Sequence, residues 1–154
     1  MEITNGAFII DSLGKILVTH ATGHTLAVWS VPKGLYEEGE RSKEAAIRET
    51  LEETNLDLSL YENVTFYKEL GIEGYINKNK KIQGHLFLVD FPLSKLNLDL
   101  TCTSMFKCVY TGMELPENDI AKWETLEFAE RLLHEAQQKF LKKITKLLVS
   151  KQLK

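Results

Sequence analysis

Acidic side chains crowd one short segment of the chain at a spacing that suits metal-dependent chemistry. Glu49, Glu52 and Glu53 occupy positions i, i+3 and i+4, so a helix would place them within roughly 100° of one another on one face. Three carboxylates this close repel each other and destabilise a helix unless cations offset them. Arg48 and one or more hard divalent ions are the natural candidates for that role.

Magnesium fits this pattern because it takes oxygen ligands, needs few protein carboxylates, and keeps waters and substrate phosphates around it. A glycine before the helix, Gly34, lets the backbone approach a metal or phosphate closely, and a carbonyl near Lys33 or Gly34 adds a candidate ligand. Such ions would polarise a bridging pyrophosphate and activate a water, whose proton a carboxylate can accept. The segment therefore predicts metal-assisted hydrolysis with Mg²⁺, or alternatively Mn²⁺.

A mixed arrangement of strands and helices must hold this segment in place. Residues 42–54 are predicted to form a helix capped by Ser42 and ended by Asn55 in the left-handed conformation. From Leu126, apolar residues recur at three- and four-residue spacing, which predicts one amphipathic helix to near the end of the chain. A polar turn is predicted at 77–81. Strands are predicted at residues 6–10, 16–18, 29–31, 64–70, 82–91, 105–110 and 121–124.

Length and composition limit the class of protein. The 154 residues correspond to about one domain, so we expect a single domain over 1–154 with an α/β fold, a sandwich around a mixed β-sheet. The chain contains no apolar run long enough for a membrane span and no predicted secretory signal. The two cysteines, Cys102 and Cys108, are too few for a disulfide framework, and we expect a cytoplasmic protein with reduced thiols.

The formal net charge of −3 is distributed unevenly. Residues 37–53 contain seven Glu and three Lys or Arg, whereas residues 139–154 contain six Lys and no acid. Two interpretations of the basic end stay open. In the first, the lysines contact RNA. In the second, they interact favourably with the dipole at the C-terminal end of a helix, and the sequence favours this second interpretation.

The acidic segment resembles the Nudix box, a pattern of Gly, five residues, Glu, seven residues, Arg-Glu, apolar, any, Glu-Glu, any, Gly, apolar. Seven of its nine defined positions match over 23 residues. The departures are Thr50 in place of an apolar residue and Asn55 in place of the last Gly, and Asn is well suited to replace Gly in a left-handed conformation. The matching positions are Gly34, Glu40, Arg48, Glu49, Glu52, Glu53 and Leu56.

This resemblance implies a Nudix-type α/β/α sandwich and a role for each matching position. Glu52 and Glu53 would be the main metal ligands, and Glu49 would be a further ligand or the general base. Arg48, Glu40 and Gly34 would support them structurally. An ordinary Glu-rich surface helix would explain the charge but not this register. A Nudix fold that binds nucleotides without catalysis stays open as an alternative.

Residues outside the box resemble one branch of the family, the dinucleoside tetraphosphate hydrolases and RNA 5′-pyrophosphohydrolases. The resemblance rests on Trp29 with Pro32-Lys33-Gly34, and on the stretch 116–123. It implies that Glu117 is a further metal ligand or base on a loop and that Lys33 contacts phosphate. Tyr75 would stack on a base, and the basic pair Lys80-Lys81, with Lys81 as the candidate residue, would contact a polyphosphate tail.

These features predict a Mg²⁺-dependent hydrolase of pyrophosphate bonds, acting on dinucleoside polyphosphates such as diadenosine tetraphosphate. The alternatives are an RNA 5′-pyrophosphohydrolase and a broad nucleoside triphosphate or ADP-ribose pyrophosphatase. Expected partners are therefore a small nucleotide substrate or an RNA 5′ end, with no membrane, in a monomer or homodimer.

Overall fold

The architecture is a mixed β-sheet between two helical layers, as found in a computed structural model that describes residues 2–23, 28–76 and 79–151. Seven strands of the described chain form the main sheet, and two more form a separate hairpin. The strands are β1 (Glu2–Ile10), β2 (Lys15–Ala21), β3 (Trp29–Ser30), β4 (Lys33–Gly34), β5 (Val64–Gly74), β6 (Lys80–Val89), β7 (Met105–Lys107), β8 (Glu114–Pro116) and β9 (Asn118–Thr125). The helices are α1 (Ser42–Thr54), α2 (Leu126–Leu132) and α3 (Glu135–Lys151).

The centre of the sheet is the parallel pair β1 and β6, which run side by side from Glu2 opposite Lys80 to Ile10 opposite Leu88. The strand order is β3-β2-β1-β6-β5, and every other pairing in the sheet is antiparallel. β4 also pairs with β1, and β9 pairs with β2. The sheet is therefore mixed, as the sequence predicts.

Two apolar cores lie on opposite faces of this sheet. Phe8 and Ile10 of β1 pack with α2 and α3, while Ala7 and Ile9 pack on the side of α1. Because successive strand residues point to opposite faces, a strand covered on both sides is apolar throughout, and residues 7–10 are all buried. This arrangement confirms the predicted α/β/α sandwich.

The structure corrects several predicted elements. Ser42 is the first residue of α1, so the N-cap is Arg41 and not Ser42 as predicted. Glu44 accepts a hydrogen bond from the Arg41 backbone N–H at 3.3 Å. The terminal amphipathic segment is two helices with a break at 133–134, because Leu133 leaves the helical conformation. The last strand before α2 is longer than predicted and covers 118–125.

The bounds of β3, β6 and β7 also differ from the predicted ones. β3 ends at Ser30, before Val31, and β7 ends at Lys107 because the chain turns at 109–111. β6 begins at Lys80, inside the predicted polar turn at 77–81, whose residues 77–78 lie outside the described residues. No described helix is long and apolar enough to cross a bilayer.

The contact between α3 and β6 requires a glycine, because a side chain at that position would collide with Phe140. A Cβ on Gly84 of β6 would lie 2.9 Å from two ring atoms of Phe140, which is fully buried. Gly74, at the end of β5, has nothing within 4 Å of the same position. The two glycines therefore form a matched pair, one in a packed contact and one open to solvent.

We expect Gly84→Ala to lower the free energy of unfolding by about 1–3 kcal/mol, because overpacking forces Phe140 from its place. Gly74→Ala should leave stability unchanged or raise it slightly, since alanine restricts the unfolded chain. Urea denaturation followed by circular dichroism compares the two variants with the wild type. Equal stability of the two variants would contradict the packing described here.

Candidate active site

The acidic helix is held at both ends by local contacts. Asn55 ends it with φ 64°, the left-handed conformation expected from the sequence, and its backbone N–H donates to Leu51 O at 2.8 Å. The Asn55 side chain also donates to the carbonyl of Asp99 at 3.0 Å. The helix end is thus tied to the segment that leads toward Glu117.

Arg48 is the hub of an ion-pair network on α1. Its guanidinium donates to both oxygens of Glu40, at 2.8 and 3.0 Å, and to Glu49 and Glu52, each at 2.8 Å. It also donates to the carbonyl of Leu35 at 2.7 Å. The network raises the pKa of Arg48 above its usual value and lowers that of Glu40. Arg48 thereby connects the loop at 35–40 to two carboxylates of the helix.

Glu49 and Glu53 lie deeper than Glu52 and face the short strand β4. Both are buried, and Glu53 accepts a hydrogen bond from the backbone N–H of Lys33 at 3.2 Å. A Cβ built on Gly34 would overlap the Glu49 carboxyl group, so only glycine permits this close approach. The pattern Lys33-Gly34 therefore shapes the space occupied by the two carboxylates.

The electrostatics of these two glutamates are unfavourable without a further cation. Burial raises the pKa of Glu49, against the opposing effect of Arg48. Burial first, and then the charge of Glu49, raise the pKa of Glu53 to about 8. Glu117 raises the pKa of both groups further. The structure thus concentrates negative charge that its own cations do not balance.

Glu117 reaches this place through backbone hydrogen bonds at the base of the β7–β8 hairpin. Its N–H donates to Ser104 O at 2.9 Å, and its carbonyl accepts from Thr22 N at 3.0 Å. The N–H groups of Thr103 and Ser104 donate in turn to Glu52 O on α1, at 2.6 and 3.2 Å. The backbone of Glu117 is therefore tied to the acidic helix through Ser104.

A cleft of about 800 Å³ joins the carboxylates to an aromatic end. Glu49, Glu53 and Glu117 line it together with Lys33 and Gly34. Its other end is lined by Trp29 and Tyr75 and by residues of the break between α2 and α3, among them Arg131, His134 and Gln137. The arrangement brings acidic, cationic and aromatic groups to one concave surface.

The structure separates the predicted site residues into two groups. Glu49, Glu53, Glu117, Lys33, Gly34 and Tyr75 line the cleft, whereas Glu40, Arg48 and Glu52 are not among its lining residues and form the ion-pair network. Lys81 does not line the cleft, while its neighbour Lys80 does. Successive strand side chains point to opposite faces, so a one-residue difference moves the cation to the other side of the sheet.

Gln137 is a cleft residue that the sequence did not predict. It is almost fully buried on α3, accepts from Val31 N at 3.0 Å, and donates to Ser30 Oγ at 3.0 Å and to the Tyr75 hydroxyl at 3.1 Å. The sequence feature that could have identified Gln137 is a polar residue at a core position of an amphipathic helix. The Tyr75 ring also contacts the His134 ring at 4.7 Å between centroids.

The residues present suit a hard divalent cation, although no three His, Cys, Asp or Glu side chains of the described chain converge as a preformed metal site. Arg48 holds the carboxylate of Glu49, and the Lys33 N–H holds that of Glu53. The uncompensated charge around Glu49, Glu53 and Glu117 is carried by oxygen donors, which Mg²⁺ and Mn²⁺ prefer. These three residues would hold the ion together with Glu52, whose carboxylate accepts from the same Arg48 nitrogen as that of Glu49.

The chain belongs to the Nudix family: the model of the NUDIX domain matches residues 2–148. It is accordingly a hydrolase of phosphoric anhydride bonds. No curated protein sequence matches it closely enough to count as a relative.

Solved structures share the fold at low sequence identity. A C. elegans Ap4A hydrolase in a binary complex is 23% identical, with 97% of this chain and 99% of that chain covered and a TM-score of 0.67. The NUDIX domain of Shewanella oneidensis NrtR with ADP ribose is 14% identical, with 96% and 88% covered and a TM-score of 0.66. A Francisella tularensis NMN adenylyltransferase/ADP ribose pyrophosphatase, complexed with AMP and a Mn ion, is 21% identical, with 97% and 41% covered and a TM-score of 0.60.

We expect Glu53→Gln to stabilise the protein in EDTA at pH 8. The pKa of Glu53 is raised in the folded state, so its ionisation costs stability as the pH rises from 4.5 toward 8. One pKa unit corresponds to about 1.4 kcal/mol, so we expect a gain of at least about 1 kcal/mol, or about 3 °C in Tm. Thermal unfolding of the two proteins in EDTA and in Mg²⁺ measures this difference.

The control is Glu62→Gln, which removes an exposed carboxylate after α1 and should change little. Mg²⁺ should stabilise the wild type more than Glu53→Gln, because binding to the folded state alone raises its stability. A Glu53→Gln protein that is less stable than the wild type in EDTA would show that the ionised Glu53 carboxylate does not destabilise the folded protein.

Proposed function

We propose that this chain hydrolyses the pyrophosphate linkage of dinucleoside polyphosphates such as diadenosine tetraphosphate, with Mg²⁺ as cofactor and Mn²⁺ as a substitute. The observation that carries this proposal is the single cleft that joins the carboxylates of Glu49, Glu53 and Glu117 to the aromatic end around Tyr75. A substrate with a polyphosphate bridge and a base at its end has the same two chemical parts.

Each group at the acidic end has a role that its position supports. Glu49, Glu52, Glu53 and Glu117 would bind the cation, and whichever of them is not fully engaged would accept the proton of the attacking water. Lys33 lines the same end, where its ammonium group would contact substrate phosphate. Arg48 contacts the carboxylates from behind, so it acts as a positioning residue. When bound, the cation would supply Lewis-acid stabilisation of the charge that develops on phosphate.

The aromatic end supports a nucleoside rather than a bare phosphate. Tyr75 is held on one side by its hydrogen bond to Gln137 and on another by its contact with His134. Trp29 is held by the Lys122 ammonium, which lies 4.5 Å from its ring centroid. Trp29 is buried and supports the wall of the cleft, whereas the fixed ring of Tyr75 would offer a flat surface on which a base stacks at low entropic cost.

The choice among nucleotide substrates rests on two further features. The Trp29 and Pro32-Lys33-Gly34 pattern resembles the dinucleoside polyphosphate branch, and an Ap4A hydrolase is among the structures that share the fold. A volume of about 800 Å³ lies at the upper part of the range for small-molecule sites, which suits a long substrate.

We expect kcat/KM with Mg²⁺ to be at least about tenfold higher for diadenosine tetraphosphate than for ADP-ribose or ATP, a difference of about 1.4 kcal/mol in transition-state stabilisation. The reason is that only the dinucleotide combines a long phosphate bridge with a second nucleoside. Initial rates with chromatographic separation of products provide the comparison. A preference for ADP-ribose would overturn the proposed substrate and leave the hydrolytic chemistry in place.

A further inference from the structure

The small hairpin of β7 and β8 carries uncharged, largely apolar side chains on one of its two faces. In an antiparallel pair, directly opposed residues share a face, and the faces alternate along each strand. Phe106 opposes Leu115, and the backbone N–H of Cys108 donates to Met113 O at 2.8 Å. These two pairs are two positions apart, so they lie on the same face, which we call the apolar face of the hairpin: Phe106, Cys108, Met113 and Leu115.

The opposite face of the hairpin is the one suited to solvent. Lys107 opposes Glu114 there, and Met105 opposes Pro116. Oppositely charged cross-strand partners attract each other while their charged groups remain hydrated. Both charged side chains of the two strands therefore lie on this face, and the apolar face carries no charge.

The apolar face is open to solvent although the hairpin itself is well formed. Phe106 is 38% exposed and Met113 is 61% exposed. The tip closes in a hydrogen-bonded turn, in which Gly112 has φ 71° and its N–H donates to Cys108 O at 2.8 Å. A contiguous apolar patch that a folded protein leaves open commonly marks a binding surface.

The apolar face continues directly from the acidic end of the cleft. Ser104 and Glu117 line the cleft, and the Glu117 N–H donates to Ser104 O at 2.9 Å. This pair lies two positions before the pair of Phe106 and Leu115, so the alternation places both pairs on one face. Pro116, on the other face, lines a second cavity of about 270 Å³ instead. Phe106 thus lies about 7 Å along its strand from a residue that lines the cleft.

The proposed substrate has one part that still needs a binding surface. A dinucleoside polyphosphate carries a nucleoside at each end of its phosphate bridge. With one base at Tyr75 and the bridge at the carboxylates, the second nucleoside extends past the acidic end, where the hairpin begins. A neutral base is the part of a nucleotide that an uncharged surface can cover without the cost of burying a charge.

We propose that the apolar face of the hairpin binds the second nucleoside of a dinucleoside polyphosphate, with the base stacked on the ring of Phe106 and in contact with Met113. Stacking on an aromatic side chain and contact with a methionine sulfur both suit a flat heteroaromatic base. This inference rests on the proposed function, because the phosphate bridge orients the nucleoside. Phe106 is then a residue that selects dinucleoside over mononucleoside polyphosphates.

A second copy of the chain is the less suitable occupant of this face. A stable interface between proteins takes about 20–30 residues from each partner. The apolar face offers four side chains, and charged residues occupy the other side of the same hairpin. A patch of this size matches a single base better than a protein surface.

The test compares Phe106→Ala with a matched control, Met105→Ala. The two residues are adjacent in β7, lie on opposite faces, and have similar exposed fractions, 38% and 47%. A third variant, Phe106→Trp, keeps an aromatic ring at the proposed contact. Circular dichroism and thermal unfolding verify that all three variants are folded.

The probes are the methylene-bridged analogues of diadenosine tetraphosphate and of adenosine 5′-tetraphosphate, in which carbon replaces the bridging oxygens and prevents hydrolysis. Isothermal titration calorimetry in Mg²⁺ buffer gives the Kd of each analogue. The ratio of the two Kd values isolates the second nucleoside, because the first nucleoside and the phosphate chain are common to both. The extra terminal charge of the mononucleoside analogue affects the wild type and the variants alike.

We expect the wild type to bind the dinucleoside analogue more tightly, and Phe106→Ala to reduce this preference by at least about fivefold. Met105→Ala and Phe106→Trp should each keep the wild-type ratio within about twofold. An unchanged ratio in Phe106→Ala, or an equal loss in all three variants, would overturn the proposal. Sedimentation that shows Phe106-dependent dimers together with an unchanged ratio would assign the face to a second copy and overturn it as well.

Hydrolysis of unmodified diadenosine tetraphosphate by the wild type is measured separately. A protein that binds the dinucleoside analogue through Phe106 but hydrolyses no dinucleotide would remove the proposed function and keep the nucleoside site. A protein that hydrolyses the dinucleotide with an affinity ratio independent of Phe106 would remove the nucleoside site and keep the proposed function.

Discussion

The interaction on which the site depends is the contact of one guanidinium with the carboxylates around it. Arg48 holds Glu40, Glu49 and Glu52 at hydrogen-bond distance and binds the Leu35 carbonyl as well. A planar group with five donors can satisfy several acceptors at once, which lysine cannot do. The loop before α1 and the acidic helix are therefore locked into one unit.

Arg48 balances only part of the charge that it organises. Glu53 receives a backbone N–H from Lys33 and the attraction of the Lys33 charge, but burial and the charge of Glu49 outweigh both, and Glu117 adds a further negative group from the hairpin base. Buried like charges reduce the stability of a folded protein unless they are compensated. Stability is thus lowered at the place that is proposed to bind a cation, as is common where function requires a charged site.

The sequence predicted the local features of this site well, because they depend on spacing within one helix. The register of Glu49, Glu52 and Glu53, the support from Arg48 and the left-handed Asn55 all follow from residues close in the chain. The mixed α/β sandwich followed from the order of the elements, and its α/β/α layering followed from the resemblance to the Nudix family.

Features that depend on tertiary contacts could not be predicted from the sequence. The break between α2 and α3 interrupts no apolar periodicity, and the choice of Lys80 over Lys81 for the cleft depends on the register of β6 against β1. Gln137 gains its role from residues more than 60 positions away, Tyr75 and Val31 among them.

The central claim is that the buried carboxylates of the cleft perform the hydrolysis. The most direct test is the turnover of diadenosine tetraphosphate at saturating Mg²⁺ by the wild type, by Glu53→Gln and by the exposed control Glu62→Gln. We expect kcat of Glu53→Gln to fall by at least about a hundredfold while the fold is retained, and the control to keep the wild-type rate. A Glu53→Gln enzyme as active as the wild type would contradict the claim.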